Sequence, residues 1–508
     1  MTANHQNSNT PPYGLLAILM VGAFIAFLNN TLLNIALPSI MEDLNVDTAT
    51  VQWLTTGYML VNGVLIPATA FLIRKYSVRI LFLFAMLMFT LGTFVAGFAD
   101  IFSMLLIGRM MQASGSAILM PVLMNVMLVS FPVEKRGSAM GIFGLILMAA
   151  PAIGPTLSGW IVENYDWRML FHFISPIAII VLLLGFIWLR DKKEKQSIKL
   201  DFLSLLLSSI GFGGILYGFS SAGNDGWSAA NVYLTIIVGA ISLFIFIFRQ
   251  NKQKEPMLNF GVFQFPMFTL STIITMVVNM AMFSGMLLIP IYVQNIRGIS
   301  PFDAGLMMLP GALIMAAMSP LTGKLFDKFG GKILALTGLS IMTISTYFFS
   351  RLGMDTGVIH IMVLHTIRMF GMSMVMMPVS TNGLNQLPPR FYPHGTAMNN
   401  TLNQVSGAIG TALLITIMSN KANAVGEDLA KTTLRENGGG ELSQEAMIQI
   451  GLQSTLDGIN FAFFVSTFIS AIALILVFFM KRSVPAKDPE EQTEALETEP
   501  LNETESSR

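Results

Sequence analysis

This sequence predicts an all-α polytopic membrane protein of fourteen transmembrane helices, on three observations. The 508 residues are 53% hydrophobic and only 11% charged, where soluble domains carry about 25% charged residues, and the mean hydropathy is +0.66. The apolar residues fall into fourteen blocks separated by polar connectors, each close to the roughly 20 residues a helix needs to cross a bilayer core. Within one block the ten-residue run from Ala150 to Gly159 holds two prolines and two glycines, Pro151, Gly154, Pro155 and Gly159. A helix in water would not tolerate them, whereas in a membrane neighbouring helices and hydroxyl groups satisfy the freed backbone. That helix is expected to be bent, thin and open to close approach by a neighbour.

Taken in order, residues 1–13 are polar, carry no Lys or Arg, and lack the basic-then-apolar pattern of a cleaved signal peptide. Six spans follow at 14–37, 50–72, 80–99, 102–128, 138–161 and 169–189, within an N-terminal half over 14–190. Residues 191–255 form a linker region holding spans 201–221 and 230–248. The C-terminal half, 256–482, holds spans 266–292, 303–323, 333–351, 357–380, 396–419 and 457–480. The long outer connector, 420–456, contains Gly438-Gly-Gly440 and mixed charge and reads as a partly helical surface loop. The tail, 483–508, is acidic, poor in apolar residues and expected to be disordered.

Orientation follows from positive charge. The connectors of one side, with the start of the tail, carry 20 Lys and Arg, against 6 on the other. The positive-inside rule then puts both termini in the cytoplasm of a multi-pass plasma-membrane protein, expected to be bacterial. The acidic connector Met41-Glu-Asp-Leu-Asn-Val-Asp falls outside. With no cysteine there is no disulfide and no thiolate chemistry. No nucleotide-binding G-x-x-x-x-G-K-[ST], nucleophile elbow or metal-ligand cluster is present, which speaks against a primary pump or an enzyme.

The two halves repeat one another. Met120-Pro-Val-Leu-Met-Asn125 matches Met377-Pro-Val-Ser-Thr-Asn382 at an offset of 257, and Gly137-Ser-Ala-Met140 matches Gly395-Thr-Ala-Met398 at 258. Arg109 and Arg368, each followed by Met, are 259 apart. Span 4 therefore maps on span 12 and span 5 on span 13, giving two six-helix halves with two inserted helices. Repeats of this kind carry sites at their interface in alternating-access transporters. An arginine inside a span costs a few kcal/mol unless it is paired or hydrated, which marks Arg109 and Arg368. No carboxylate lies well inside any span. His365 sits three residues before Arg368 on one helix face. It is either a proton carrier near neutral pH or a structural histidine bonded across helices. Asn29, Asn30 and Asn34 recur at helical spacing, positioned to bind polar substrate groups or to join helices. The 37 Met and 38 Phe suit a cavity that adapts to apolar ligands, although packing and lipid contact explain most of them.

These residues resemble the major facilitator superfamily, and more narrowly its 14-span drug:proton antiporter branch of the QacA/EmrB type, with the LmrB-like lincomycin-efflux subgroup most similar. Gly323-Lys-Leu-Phe-Asp327-Lys328-Phe-Gly330-Gly-Lys332 matches the loop motif G-x-x-x-D-[RK]-x-G-x-[RK]. The counterpart from Ala70 to Arg79 has Arg74 at the aspartate position and lacks both glycines. Arg109-Met-Met-Gln112 resembles the span-4 motif R-x-x-Q-G, with Ala113 for glycine. Gly154-Pro155-Thr-Leu-Ser158-Gly159 resembles the antiporter signature G-x-x-x-G-P-x-x-G-G. Asp166-Trp167-Arg168 resembles the boundary before span 6, and Trp167 and Trp53 read as interfacial anchors. Leu28-Asn29-Asn30-Thr31 resembles the span-1 motif L-D-x-T, but with Asn29, which cannot ionise, where the family has an aspartate.

The resemblance implies a major facilitator fold and a proton-driven exporter of small lipophilic or amphipathic molecules. It implies that Arg109 serves proton relay and that the Asp327 loop clamps helices in one state. An exporter of an endogenous metabolite or signalling molecule, or a non-transporting membrane sensor, stands as the alternative. The expected partners are substrate, protons and the lipid bilayer. No nucleic acid, metal or organic cofactor is expected, the proton gradient supplies the energy, and the protein is expected to act as a monomer.

Overall fold

The computed structural model describes residues 13–189, 201–436 and 442–483. The polar N-terminal stretch up to residue 12, the basic connector 190–200, residues 437–441 with Gly438-Gly-Gly440 of the outer connector, and the acidic tail from 484 lie outside the described residues. The N-terminal half comprises α1 (Tyr13–Asp43), α2 (Thr48–Lys75), α3 (Val78–Gly97), α4 (Phe102–Ser130), α5 (Arg136–Asn164) and α6 (Met169–Trp188). The inserted pair is α7 (Phe202–Asp225) and α8 (Ala230–Lys252). The C-terminal half holds α9 (Pro266–Ile291), α10 (Pro301–Phe329), α11 (Gly331–Phe349), α12 (Val358–Ser373), α13 (Met376–Asn385), α14 (Tyr392–Glu436) and α15 (Gln444–Phe478).

Among the described residues thirteen segments are long and apolar enough to cross a membrane, with α12 and α13 together making one of them. The remaining predicted span is α5, which has no charged residue between Arg136 and Glu163. Span 12 is broken at Met374-Val375, where its counterpart α4 runs on; α4 carries Pro121 at the repeat position of Pro378, so the proline by itself does not account for the break. The connector 420–456 is mostly helical, because α14 runs on to Glu436 and α15 starts at Gln444.

Within each half the helices pack among themselves, and the halves meet along two seams, α5 against α10 and α2 against α14, with α4 also touching α14. At the first seam glycine lets the backbones nearly touch. A Cβ added to Gly141 would come within 2.6 Å of the Ser319 carbonyl oxygen, and one on Gly323 would strike the Gly137 carbonyl. The inserted pair covers the second seam. Leu216 of α7 fills the space beside Gly63 of α2, the Trp53 ring stacks on Tyr217 at 5.7 Å, and the Trp227 indole donates to Thr416 of α14 at 2.7 Å. A polar knot ties the inserted pair together. The Asp201 carboxylate accepts from Arg249 at 2.8 Å, Ser204 at 2.6 Å and Gln253. The Arg249 hydrogen bond holds that carboxyl below the usual carboxylate range.

Trp167 corrects the sequence reading. It is not an interfacial anchor but is buried, donating to Asp43 at 3.1 Å beneath Arg168, which itself pairs with Asp43 at 2.9 Å. The indole bond and Arg168 lower the Asp43 carboxyl from its ordinary value. Two opposite charges and a hydrogen-bond acceptor reward burying the ring here more than the headgroup region would. Trp53 remains partly exposed, as an anchor would be, although it rests on Tyr217.

Candidate functional site

The N-terminal half gathers its predicted polar residues into one network around Arg109, which is 1% exposed. Arg109 donates to Gln112 at 2.9 Å, one turn along α4, and to Asn30 of α1 at 3.0 Å. Asn29 donates to the same Gln112 oxygen at 3.0 Å, and the Gln112 amide donates to Thr93 of α3 at 2.9 Å. The guanidinium lies 4.4 Å from the centroid of the Tyr58 ring on α2, a cation–π contact in a desolvated setting. Tyr58 continues the chain by donating to Ser116 at 2.7 Å, and Ser116 donates to Asn62 at 3.1 Å. Carboxamides, a ring face and hydroxyls thus hold the charge where the resemblance places a carboxylate. Asn34 lies on α1, but its side chain lies outside the described residues.

The C-terminal half holds its arginine differently. Arg368, also 1% exposed, donates to the Ala281 carbonyl at 2.7 Å and Ser284 at 3.1 Å on α9, and to Thr346 on α11 at 3.2 Å. Its Nη1 has no partner and packs against Gly285, where a Cβ would collide with it. His365 is 3% exposed, its Nδ1 has no partner, and its ring packs against Gly311 of α10. Among the described residues neither arginine takes part in an ion pair, and no group of three His, Cys, Asp or Glu is placed to hold a metal.

The small-residue run of α5 lies between α1 on one side and α10 on the other. Gly154 faces Thr31 of α1, whose hydroxyl donates to the Ala150 carbonyl at 3.3 Å, and Ser158 donates to the Leu32 carbonyl at 2.6 Å. Gly159 lies under the Phe302 ring of α10. The Pro155 side chain lies outside the described residues.

The loop motif joins the halves at the end of the bundle predicted to be cytoplasmic. The Asp327 carboxylate accepts the backbone N–H groups of Gly137 and Ser138, both at 2.8 Å, and the Ser138 hydroxyl. These are orphan donors of the first turn of α5, so an anion from α10 caps a helix of the other half. Gly330 takes a φ of 78°, which lets the chain turn from α10 into α11. Lys332 donates to the Phe478 carbonyl at 2.6 Å, and Lys328 lies 5.2 Å from the Phe329 ring centroid.

Sequence reasoning missed Arg136, counting it only as a loop cation. It is 6% exposed and donates to Leu128 and Phe131 carbonyls of its own half and to Asn385 at 3.1 Å and Tyr392 at 2.9 Å in the other. Its place immediately before the repeated Gly-Ser-Ala-Met was the available signal. Asn62 and Ser116 were given no role because single polar residues on apolar helices leave no spacing pattern, and Tyr58 was legible only as part of the Gln52-Trp53…Tyr58 likeness in span 2.

Comparison with known proteins agrees with this architecture. Residues 19–411 match the Major Facilitator Superfamily. The chain is 46% identical over 95% of its length to an uncharacterized MFS-type transporter, YhcA, of Bacillus subtilis, covering 95% of that protein. It is 42% identical over 92% of its length to the lincomycin resistance protein LmrB of the same organism, covering 95% of it. Among solved structures, the human organic anion transporter MFSD10 (TETRAN) superposes with a TM-score of 0.64 at 13% identity, over 92% of this chain and 100% of that one, a likeness of fold.

Proposed function

Since the chain belongs to the Major Facilitator Superfamily and is a multi-pass membrane transport protein rather than an enzyme, we propose that it exports small lipophilic or amphipathic molecules, lincosamide-like antibiotics among them, in exchange for protons. The two six-helix halves rock about the α5–α10 and α2–α14 seams, with both termini in the cytoplasm of a plasma membrane. The observation that carries this reading is the α5 run from Gly154 to Gly159, set between α1 of its own half and α10 of the other. Small residues there let packed helices slide with little steric penalty. The 42% identity to a lincomycin resistance protein supports the choice of substrate class.

Proton coupling has to proceed without Asp at position 29, so the titrating group is sought at His365 or through the Arg109 network. Reconstitution in proteoliposomes with an internal pH dye tests the reading, using a lincosamide, lipophilic cations and neutral antibiotics. Compound-dependent proton movement, lost in His365→Gln or Arg109→Ala, is expected. Substrate flux with no proton movement would overturn the coupling. No flux of any compound by folded protein would overturn the drug-export reading in favour of an endogenous metabolite.

A further inference from the structure

The two closures at the clamped end of the bundle are built from one repeat with opposite charge. Asp327 in the last turn of α10 corresponds to Arg74 in the last turn of α2, and Arg136-Gly137-Ser138 corresponds to His394-Gly395-Thr396. At the α5–α10 seam an acid caps the helix and a permanent cation, Arg136, spans the halves. At the α2–α14 seam a cation replaces the acid and a titratable ring replaces the cation.

Both replacements meet on the connector between α8 and α9. Arg74 donates to the Pro256 carbonyl at 3.3 Å, and the backbone N–H of Asn259 donates to His394 Nδ1 at 3.1 Å. His394 is 4% exposed. To accept that bond the imidazole must be neutral, with its proton on Nε2. A proton added at Nδ1 turns the acceptor into a donor facing another donor, and sets a second cation within the field of Arg74. The charged groups that face His394 are Arg74 of α2 and, across Tyr392, Arg136 of α5, while Arg390 precedes it on the turn leading into α14. In the connector 253–265 the charged side chains are Lys254 and Glu255, both exposed to solvent. The closed arrangement thus holds neutral His394 and rejects its cation. By linkage, acidification favours whichever state binds the proton more readily, one in which the seam has opened and His394 meets water.

We propose that His394, with Arg74 and the Asn259 N–H, is a proton-operated latch that releases the α2–α14 seam at the clamped end, while the Asp327 clamp at α5–α10 stays insensitive to the same proton. The movement is therefore a hinge that opens on one side first. This is independent of which ion drives transport.

The absence of native cysteine makes the test direct. Asn400 lies on α14, less than two turns beyond His394, with its amide 3.9 Å from the Met124 sulfur of α4, the other N-terminal-half helix that touches α14. In the full chain in detergent, Asn400→Cys reports opening through its rate of thiol labelling, divided by the rate at exposed Lys431→Cys to remove the intrinsic pH dependence of thiols. The ratio is expected to rise about fivefold or more from pH 8 to pH 6, a fraction of the tenfold per unit that one coupled proton allows. His394→Gln retains an acceptor for Asn259 but does not titrate in this range, and should give a flat ratio at the closed value. Arg74→Gln, which removes the repulsion, should shrink the rise, and it carries the test alone if His394→Gln fails to fold. A flat parent ratio, or an undiminished rise in either variant, overturns the proposal.

Discussion

Replacing Asp327 by Asn should shift the protein toward the state open at the clamped end. The carboxylate accepts two backbone N–H groups at 2.8 Å and the Ser138 hydroxyl, one oxygen serving Gly137 and the other serving Ser138. An amide has a single acceptor oxygen, so one of the two N–H groups must face an NH2 group. Each charge-assisted bond is worth about 1.5–3 kcal/mol, and an anion at a helix N-terminus adds about 0.3–1 kcal/mol. Asp327 is half-buried, so the low end applies. A loss of about 2 kcal/mol shifts the equilibrium between closed and open by roughly 30-fold. Spin labels on the exposed positions Lys135→Cys and Lys324→Cys bracket the seam. Pulsed distance measurement should find a long-distance population in Asp327→Asn that the parent lacks. Gly137→Ala, whose Cβ would drive into the Asp327 carboxylate and the Gly323 carbonyl, should produce the same population by a steric route. An unchanged distribution in Asp327→Asn, with Gly137→Ala opening the seam, would refute the electrostatic account of the clamp.

Three other outcomes follow from the packing. Gly285→Ala puts a Cβ on the Arg368 guanidinium and breaks its bonds to Ala281 and Ser284; it should cost about 2–4 kcal/mol and lower the melting temperature in detergent, whereas Gly353→Ala, with only Thr356 at 3.7 Å, should leave it unchanged. Gly154→Val collides with Thr31 and should abolish drug efflux in whole cells while protein level by immunoblot holds; retained efflux would remove α5 from the transport mechanism. Asp201 is held below its ordinary value first by Arg249, so its contribution is full above the unfolded pKa of about 4 and fades as pH falls through the depressed folded value. Asp201→Asn should therefore lower the melting temperature at pH 7 and flatten its decline below about pH 4, by an amount near 1 kcal/mol because Arg249 is 40% exposed.

What the sequence disclosed, it disclosed through features that solvent and lipid enforce. The spans were legible because bilayer thickness fixes the length of an apolar run, and the two halves because Arg, Pro and Asn are rare enough in spans to make a repeat visible. The Arg109 network was half legible. Asn29, Asn30 and Gln112 were singled out, while Thr93, reached only across helices, carries no pattern along the chain. Trp167 was misread because an aromatic beside water has the same sequence context whether it anchors to lipid or buries itself over an Asp–Arg pair. Arg136 was hidden among the cytoplasmic cations, since positive charge that orients a loop and positive charge that bridges two halves are spelled alike.

One turn of α1 ties the buried charge to the seam. Asn29 and Asn30 bond to Gln112 and Arg109 on α4, while the next two residues, Thr31 and Leu32, take bonds from or to Ala150 and Ser158 on α5. Four consecutive residues thus face two different partners, and α5 meets α10 along its other side. A helix turn cannot shift against α5 without also shifting its amides against Arg109, because successive side chains on one turn move as a rigid unit. Arg368 is held differently: its partners, the Ala281 carbonyl and the Ser284 and Thr346 hydroxyls, lie on α9 and α11 rather than on the helices of the α5–α10 seam. In the N-terminal half, then, any displacement of α1 against α5 has to be shared with the amides that hold Arg109.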